Sequence, residues 1–141
     1  MIKPEDLRIG DLVRTSHKCA YPKGTVFAVT EIRHRTSDGH GVAILSAINN
    51  KDYGPVGVLT RNIEGIPLTP EILKNNGFEM KDDSVVYAKR KVGLKPLPDN
   101  KGYEAGIGNR IFYVKICDIQ YVHELQHILW VLGYDTELKI K

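Results

Sequence analysis

Gly24-Thr25-Val26-Phe27-Ala28-Val29-Thr30-Glu31-Ile32-Arg33-His34-Arg35, then Thr36-Ser37-Asp38-Gly39-His40, then Val42-Ala43-Ile44-Leu45-Ser46-Ala47-Ile48 decides the first half of the chain. The flanking runs are rich in Val, Ile, Thr and Phe, as strands are. The middle segment is a hairpin connection, with Asp38-Gly39 supplying the positive φ angles that such turns demand. Upstream, Leu7-Arg8-Ile9-Gly10-Asp11-Leu12-Val13 reads as a tight turn leading into a strand. Downstream, Asn49 to Pro55 is a loop and Val56 to Thr60 a short closing strand. Four or five short strands without a helix predict a small SH3-like β-barrel over residues 1–65, since closure removes exposed sheet edges.

Residues 66–141 read differently. Thr69 is a natural N-cap, Pro70 suits the first helical position and Glu71 lies near the positive end of the helix dipole. Gly77 ends this short helix and Phe78 turns back onto a core. The spacing then predicts a small antiparallel sheet from Ser84 to Lys91, Leu94 to Leu97 and Arg110 to Ile116. Pro98 to Asn109 reads as a long connection. Its Gly106-Ile107-Gly108 is a turn rather than a phosphate loop, because the strand-to-helix setting and the remaining glycine and lysine are missing. The fold class is thus α+β: barrel, short helix, small sheet and a C-terminal amphipathic helix.

That last helix carries the one recognisable chemical motif. His123-Glu124-Leu125-Gln126-His127 fits H-E-x-x-H, in which two histidines one turn apart hold zinc and the glutamate acts as general base. Asp118 offers an N-cap and Gly133 a C′ residue, with Tyr134 placed to fold back near Leu129. Ile119, Val122, Leu125, Leu129 and Leu132, widened by Tyr121 and Ile128, form the core-facing stripe. At about 100° per residue, His123 and His127 lie nearly opposite that stripe, on the side of Gln120, Trp130 and Tyr134. A catalytic zinc also needs a third protein ligand. The extended H-E-x-x-H-x-x-G-x-x-H form is absent, since Trp130 and Gly133 stand at its glycine and third histidine. Glu137 and Asp135 are too close in sequence, and nothing singles out His17, His34 or His40.

Composition narrows the classes further. The 141 residues, 42% hydrophobic, support a modest core. No apolar run approaches about 18 residues, so no membrane partner is expected, and the N-terminus lacks the apolar stretch of a signal peptide. A cytoplasmic location follows as the expectation, with Cys19 and Cys117 as free thiols. A net charge of +3 is shallow for a nucleic-acid binder. Arg33-His34-Arg35 and Lys89-Arg90-Lys91 read as solvated strand tips.

The runs Leu7 to Val13, Ile63 to Leu73, Gly77-Phe78-Glu79 and Tyr121 to His127 together resemble a family of small uncharacterised proteins. These are common in Bacteroidetes genomes, prophages and other mobile elements. The resemblance covers nearly the whole chain and implies a barrel-like N-terminal part, a short central helix and a C-terminal helix, with no activity attached. It also implies a Val-His-x-Leu-Gln-x helix, matched by His123, Leu125 and Gln126, in which an amide often replaces Glu124 or His127. On that pattern H-E-x-x-H is a coincidence and no cofactor is needed. The favoured expectation is a non-enzymatic binding or assembly module using His123, His127, Trp130 and Tyr134. It would engage a protein partner, itself included, or less directly nucleic acid. The alternative is a zinc hydrolase with His123 and His127 as ligands and Glu124 as base.

Overall fold

The computed structural model describes residues 2, 6–16, 21–22, 24–34, 41–49, 54–81, 84–87, 92–108, 113–134 and 136–140. His17, Cys19, Arg35, the 36–40 turn, residues 50–53 and Lys89-Arg90-Lys91 lie outside them, as does the side chain of His34. The architecture is mixed α+β, mostly strand, in two five-stranded antiparallel sheets with a C-terminal helix.

The first sheet comprises β1 (Leu12–Thr15), β2 (Phe27–His34), β3 (Gly41–Ala47), β4 (Val56–Leu59) and β5 (Ile63–Gly65), in the order β4-β3-β2-β1-β5. Side chains alternate across a strand, so β3 sends Ala43 and Leu45 inward while Ile44 and Ser46 stay half-exposed. Phe27 and Val29 on β2 meet them, with Ile2, Leu7, Val13, Val58 and Ile63 completing the buried cluster. A bulge between Val29 and Glu31 bends β2 beyond that point. The last strand returns to the first, Val13 facing Gly65, and a 3₁₀ turn at Thr60–Asn62 links β4 to β5.

The second sheet is a meander: β6 (Phe78–Lys81), β7 (Ser84–Tyr87), β8 (Val92–Pro96), β9 (Tyr103–Gly108) and β10 (Tyr113–Ile119). Helix α1 (Pro70–Asn75) precedes it and α2 (Val122–Val131) follows. The α1 signals act as the sequence predicts: Thr69 Oγ1 accepts from the Ile72 amide at 3.2 Å, and Gly77 adopts φ 87°. Two expectations fail. The Gly106-Ile107-Gly108 turn is part of β9, whose Gly106 pairs with Gly93 of β8. Because β9 exists, β10 has a partner as far as Tyr103–Ile119, so Asp118 is a strand residue and caps no helix.

Leu73, Phe78, Leu94, Ile119, Leu125 and Leu129 belong to the second core, between that sheet and α2. A third cluster of Leu12, Val26, Ile66, Ile72 and Val122 draws residues from both halves. Helix α2 therefore serves two walls, burying Leu125 and Leu129 in one and Val122 in the other. Among the described residues, no helix is long and apolar enough to cross a membrane.

Candidate functional site

Helix α2 begins where Val122 N–H donates to Ile66 carbonyl O at 2.8 Å. The Glu124 carboxylate reaches back and accepts from the amides of Gln120 (3.0 Å) and Tyr121 (3.1 Å). Those amides have no intrahelical partner, so Glu124 supplies the cap that was expected from Asp118. At the other end Gly133 takes φ 78°, with Tyr134 N–H donating to Leu129 O (2.8 Å) and Gly133 N–H to Trp130 O (3.0 Å). This is the glycine-terminated stop that the sequence predicts.

The side of α2 opposite the second core faces the turn into β1. Gly10 at φ 95° lets Asp11 N–H donate back to Arg8 O at 3.1 Å. The Asp11 carboxylate, almost wholly buried, accepts the Arg8 amide at 2.8 Å. It also accepts the His127 Nε2–H, which stands 2.8 and 2.9 Å from its two oxygens. One position away, Gln126 Oε1 accepts from the Leu12 amide (2.8 Å) while its Nε2 donates to Gly10 O (3.0 Å) and Thr136 O (3.1 Å). An amide can accept and donate at once, so one side chain satisfies three backbone groups from two distant segments. Neither Gln126 nor Asp11 carries a local sequence signal for these roles, which arise only where the two segments meet.

His123 is 5% exposed. Its ring stacks on Tyr121 (5.8 Å between centroids, 13°) and meets His127 edge-on at 5.7 Å. Among the described residues, its Nδ1 is buried without a hydrogen-bond partner. Burial pushes the imidazole below its ordinary pKa and His127 adds to this, while Asp11, Glu124 and Asp6 pull the other way. The unfolded chain then takes up the proton first, so this contribution to stability is complete above the ordinary value of 6.5 and is lost as pH falls through it. His123→Phe keeps the ring and its stacking but cannot titrate. It is expected to flatten the fall in the urea midpoint between about pH 7 and pH 5, and an unchanged slope would acquit His123.

The four side chains expected to share a binding face are divided by the structure. His123 is buried, His127 is bonded to Asp11, and Tyr134 packs on the second core. Trp130 remains 61% exposed, with the Arg8 guanidinium 4.6 Å from its ring centroid. Ile9, 73% exposed, and Trp130 line one cleft of 220 Å³. A 240 Å³ groove between β10 and α2 is lined by Ile116, Cys117, Ile128, Val131 and Leu132. A third, more polar cleft of 750 Å³ contains Asp6, Arg8, Lys101, His123, Glu124 and His127. No protein-family model, curated protein or solved structure matches this chain.

Chemically, the H-E-x-x-H side chains are already employed: Glu124 on two backbone amides, His127 on a carboxylate, His123 within a ring stack. Among the described residues, no three His, Cys, Asp or Glu side chains are gathered as a metal ion would require. The Cys117 thiol is pushed up by burial and by the Glu124 and Asp118 carboxylates, with Lys115 opposing, which is the reverse of activation. Arg33 of the first basic cluster pairs with Glu31 at 2.8 Å, across two residues of one strand face.

Proposed function

We propose that the chain is a non-enzymatic binding module that engages a protein partner through the face formed by Ile9 and Trp130. Ile9 is 73% exposed beside the exposed Trp130, which stands on a helix held from behind by the Gln126 and His127 bonds. Exposed tryptophan on a rigid support is the side chain most often found at the energetic centre of protein interfaces. Arg8 across its ring restricts the indole before any partner arrives, lowering the ordering cost of association. An apolar patch whose Arg8 is already stacked on an aromatic ring suits a protein better than a phosphate backbone. We read the first sheet as a small SH3-like barrel, a reading supported by the return of β5 to β1. On this account the barrel supplies the Arg8–Asp11 turn that flanks Trp130.

The observation that carries this reading is the combination of an exposed Trp130 with a motif whose polar side chains are spent on structure. The test uses a photo-crosslinking amino acid at Ile9, introduced in cells that produce the full chain. A discrete adduct of one protein mass is expected, and Trp130→Ala should abolish it while moving stability by no more than about 1 kcal/mol, as for other exposed positions. No adduct would sink the reading. Wholesale unfolding of Trp130→Ala would make the indole a core residue instead.

A further inference from the structure

β10 is the open edge of the second sheet, pairing among the described strands with β9 alone. Past Ile119 that freedom ends: Leu68 N–H donates to Gln120 O at 2.9 Å and Pro67 bridges Tyr121. Along the open stretch Val114 is 68% exposed and Ile116 44% exposed. Among the described residues no strand pairs with this edge of β10, and an edge with exposed apolar side chains is a template for another strand.

The charges say which one. In a regular strand Lys115 and Asp118, three residues apart, would point to opposite faces. The bulge between Lys115 and Cys117 shifts the alternation, so both stand on one face, 3.3 Å apart, with Glu104 of β9 at 3.6 Å from the lysine. A lysine on an open edge discourages indiscriminate pairing. An incoming antiparallel strand fits if it sets an acid opposite Lys115 and a base opposite Asp118. β10 meets that condition itself when a second copy runs antiparallel: Lys115 faces Asp118 of the copy, and the two-fold axis repeats the pair. Val114 then lies against the edge of Ile119 in the other copy.

We infer that the chain forms a two-fold dimer by antiparallel pairing of β10 with β10, joining the second sheets of two copies into one of ten strands. Trp130 lines the cleft with Ile9 and not the groove of Ile116 and Cys117, so Trp130→Ala leaves this edge intact, and the dimer stands or falls independently of the partner-binding reading. Its polarity is chosen by two reciprocal charge pairs, and cross-strand pairs of opposite sign favour a register while like charges oppose it.

Sedimentation of the full chain decides it. Wild type is expected to move from monomer toward dimer across about 10–300 µM, a modest affinity for a short strand contact. Lys115→Asp places acids on both positions and Asp118→Lys places bases on both, so each alone should associate roughly tenfold or more weakly. Mixed in equal amounts they should restore the dimer, because acid now meets base at every pair; a purely intramolecular role for these residues gives no rescue. Circular dichroism melts confirm that both variants fold. If either fails to fold, hydrogen exchange of wild type still answers, with amides of residues 113–119 gaining protection as concentration rises. Wild type that stays monomeric throughout, folded variants whose mixture stays monomeric, or concentration-independent exchange would overturn the proposal.

Discussion

Gln126→Ala is expected to cost the folded chain about 3–5 kcal/mol, a large part of the total for a domain of ordinary stability. The arithmetic follows from what the amide satisfies. The Leu12 amide is buried, and losing its acceptor exposes it to a desolvation penalty of about 1–3 kcal/mol. The Gly10 and Thr136 carbonyls, partly buried, each lose a donor and add about 1 kcal/mol apiece. Urea unfolding should show the midpoint falling by roughly 2 M, given ordinary denaturant sensitivity. Gln126→Glu separates the parts, since a carboxylate can accept from Leu12 but cannot donate to either carbonyl. At neutral pH its buried charge would face both carbonyl oxygens, so it should be at least as destabilised as Gln126→Ala. A loss below about 1 kcal/mol for the alanine variant would mean that water replaces the side chain readily and that α2 is held chiefly by its apolar contacts.

Gly102→Ala carries the second large effect. Gly102 sits at φ 104°, and a Cβ built there would stand 2.2 Å from the Ile119 carbonyl oxygen. That oxygen is backbone, in the residue that closes the β9–β10 ladder opposite Tyr103, so it cannot swing aside as a side chain would. Positive φ alone costs a non-glycine residue about 1–2 kcal/mol. Gly133 measures that part separately, because its φ is +78° and no neighbouring atom lies within 4 Å of its Cβ position. Gly133→Ala should therefore cost about 1 kcal/mol and Gly102→Ala about 3 kcal/mol or more, the excess being the clash. Equal thermal shifts for the two would show that the β9–β10 end relaxes at little cost.

The sequence was most legible where the deciding forces are local. Thr69, Pro70 and Gly77 bracket α1 by rules that operate within a single turn, and the apolar stripe of α2 is a matter of helical spacing. β9 was hidden because Gly106 and Gly108 speak for a turn, and only the neighbouring β8, with Gly93 opposite Gly106, makes a strand of them. The start of α2 lies past Asp118, whose short polar side chain is the local cap signal but which belongs to β10. Tyr121 occupies the cap position, and Glu124 three residues on provides the bonds.

The candidate site was half legible. Helical geometry put His123 and His127 opposite the stripe formed by Leu125 and Leu129, and that is where they are. What it could not supply was the wall they meet, because Asp11 lies 116 positions from His127 in sequence. Gln126 gave no local sign either. A glutamine beside an apolar stripe is ordinarily solvated, and its burial is a property of the assembled halves.

The bond from the Leu12 amide to Gln126 spans 114 residues. During synthesis the first sheet has all its own strands by residue 65, yet this partner is still unmade. At about 5–20 residues per second, the ribosome needs roughly 6–23 s to travel from one to the other. Throughout that interval the nascent chain carries its opening turn without the lock that later fixes it, and the late emergence of α2 becomes the step that joins two sheets whose strands are already made.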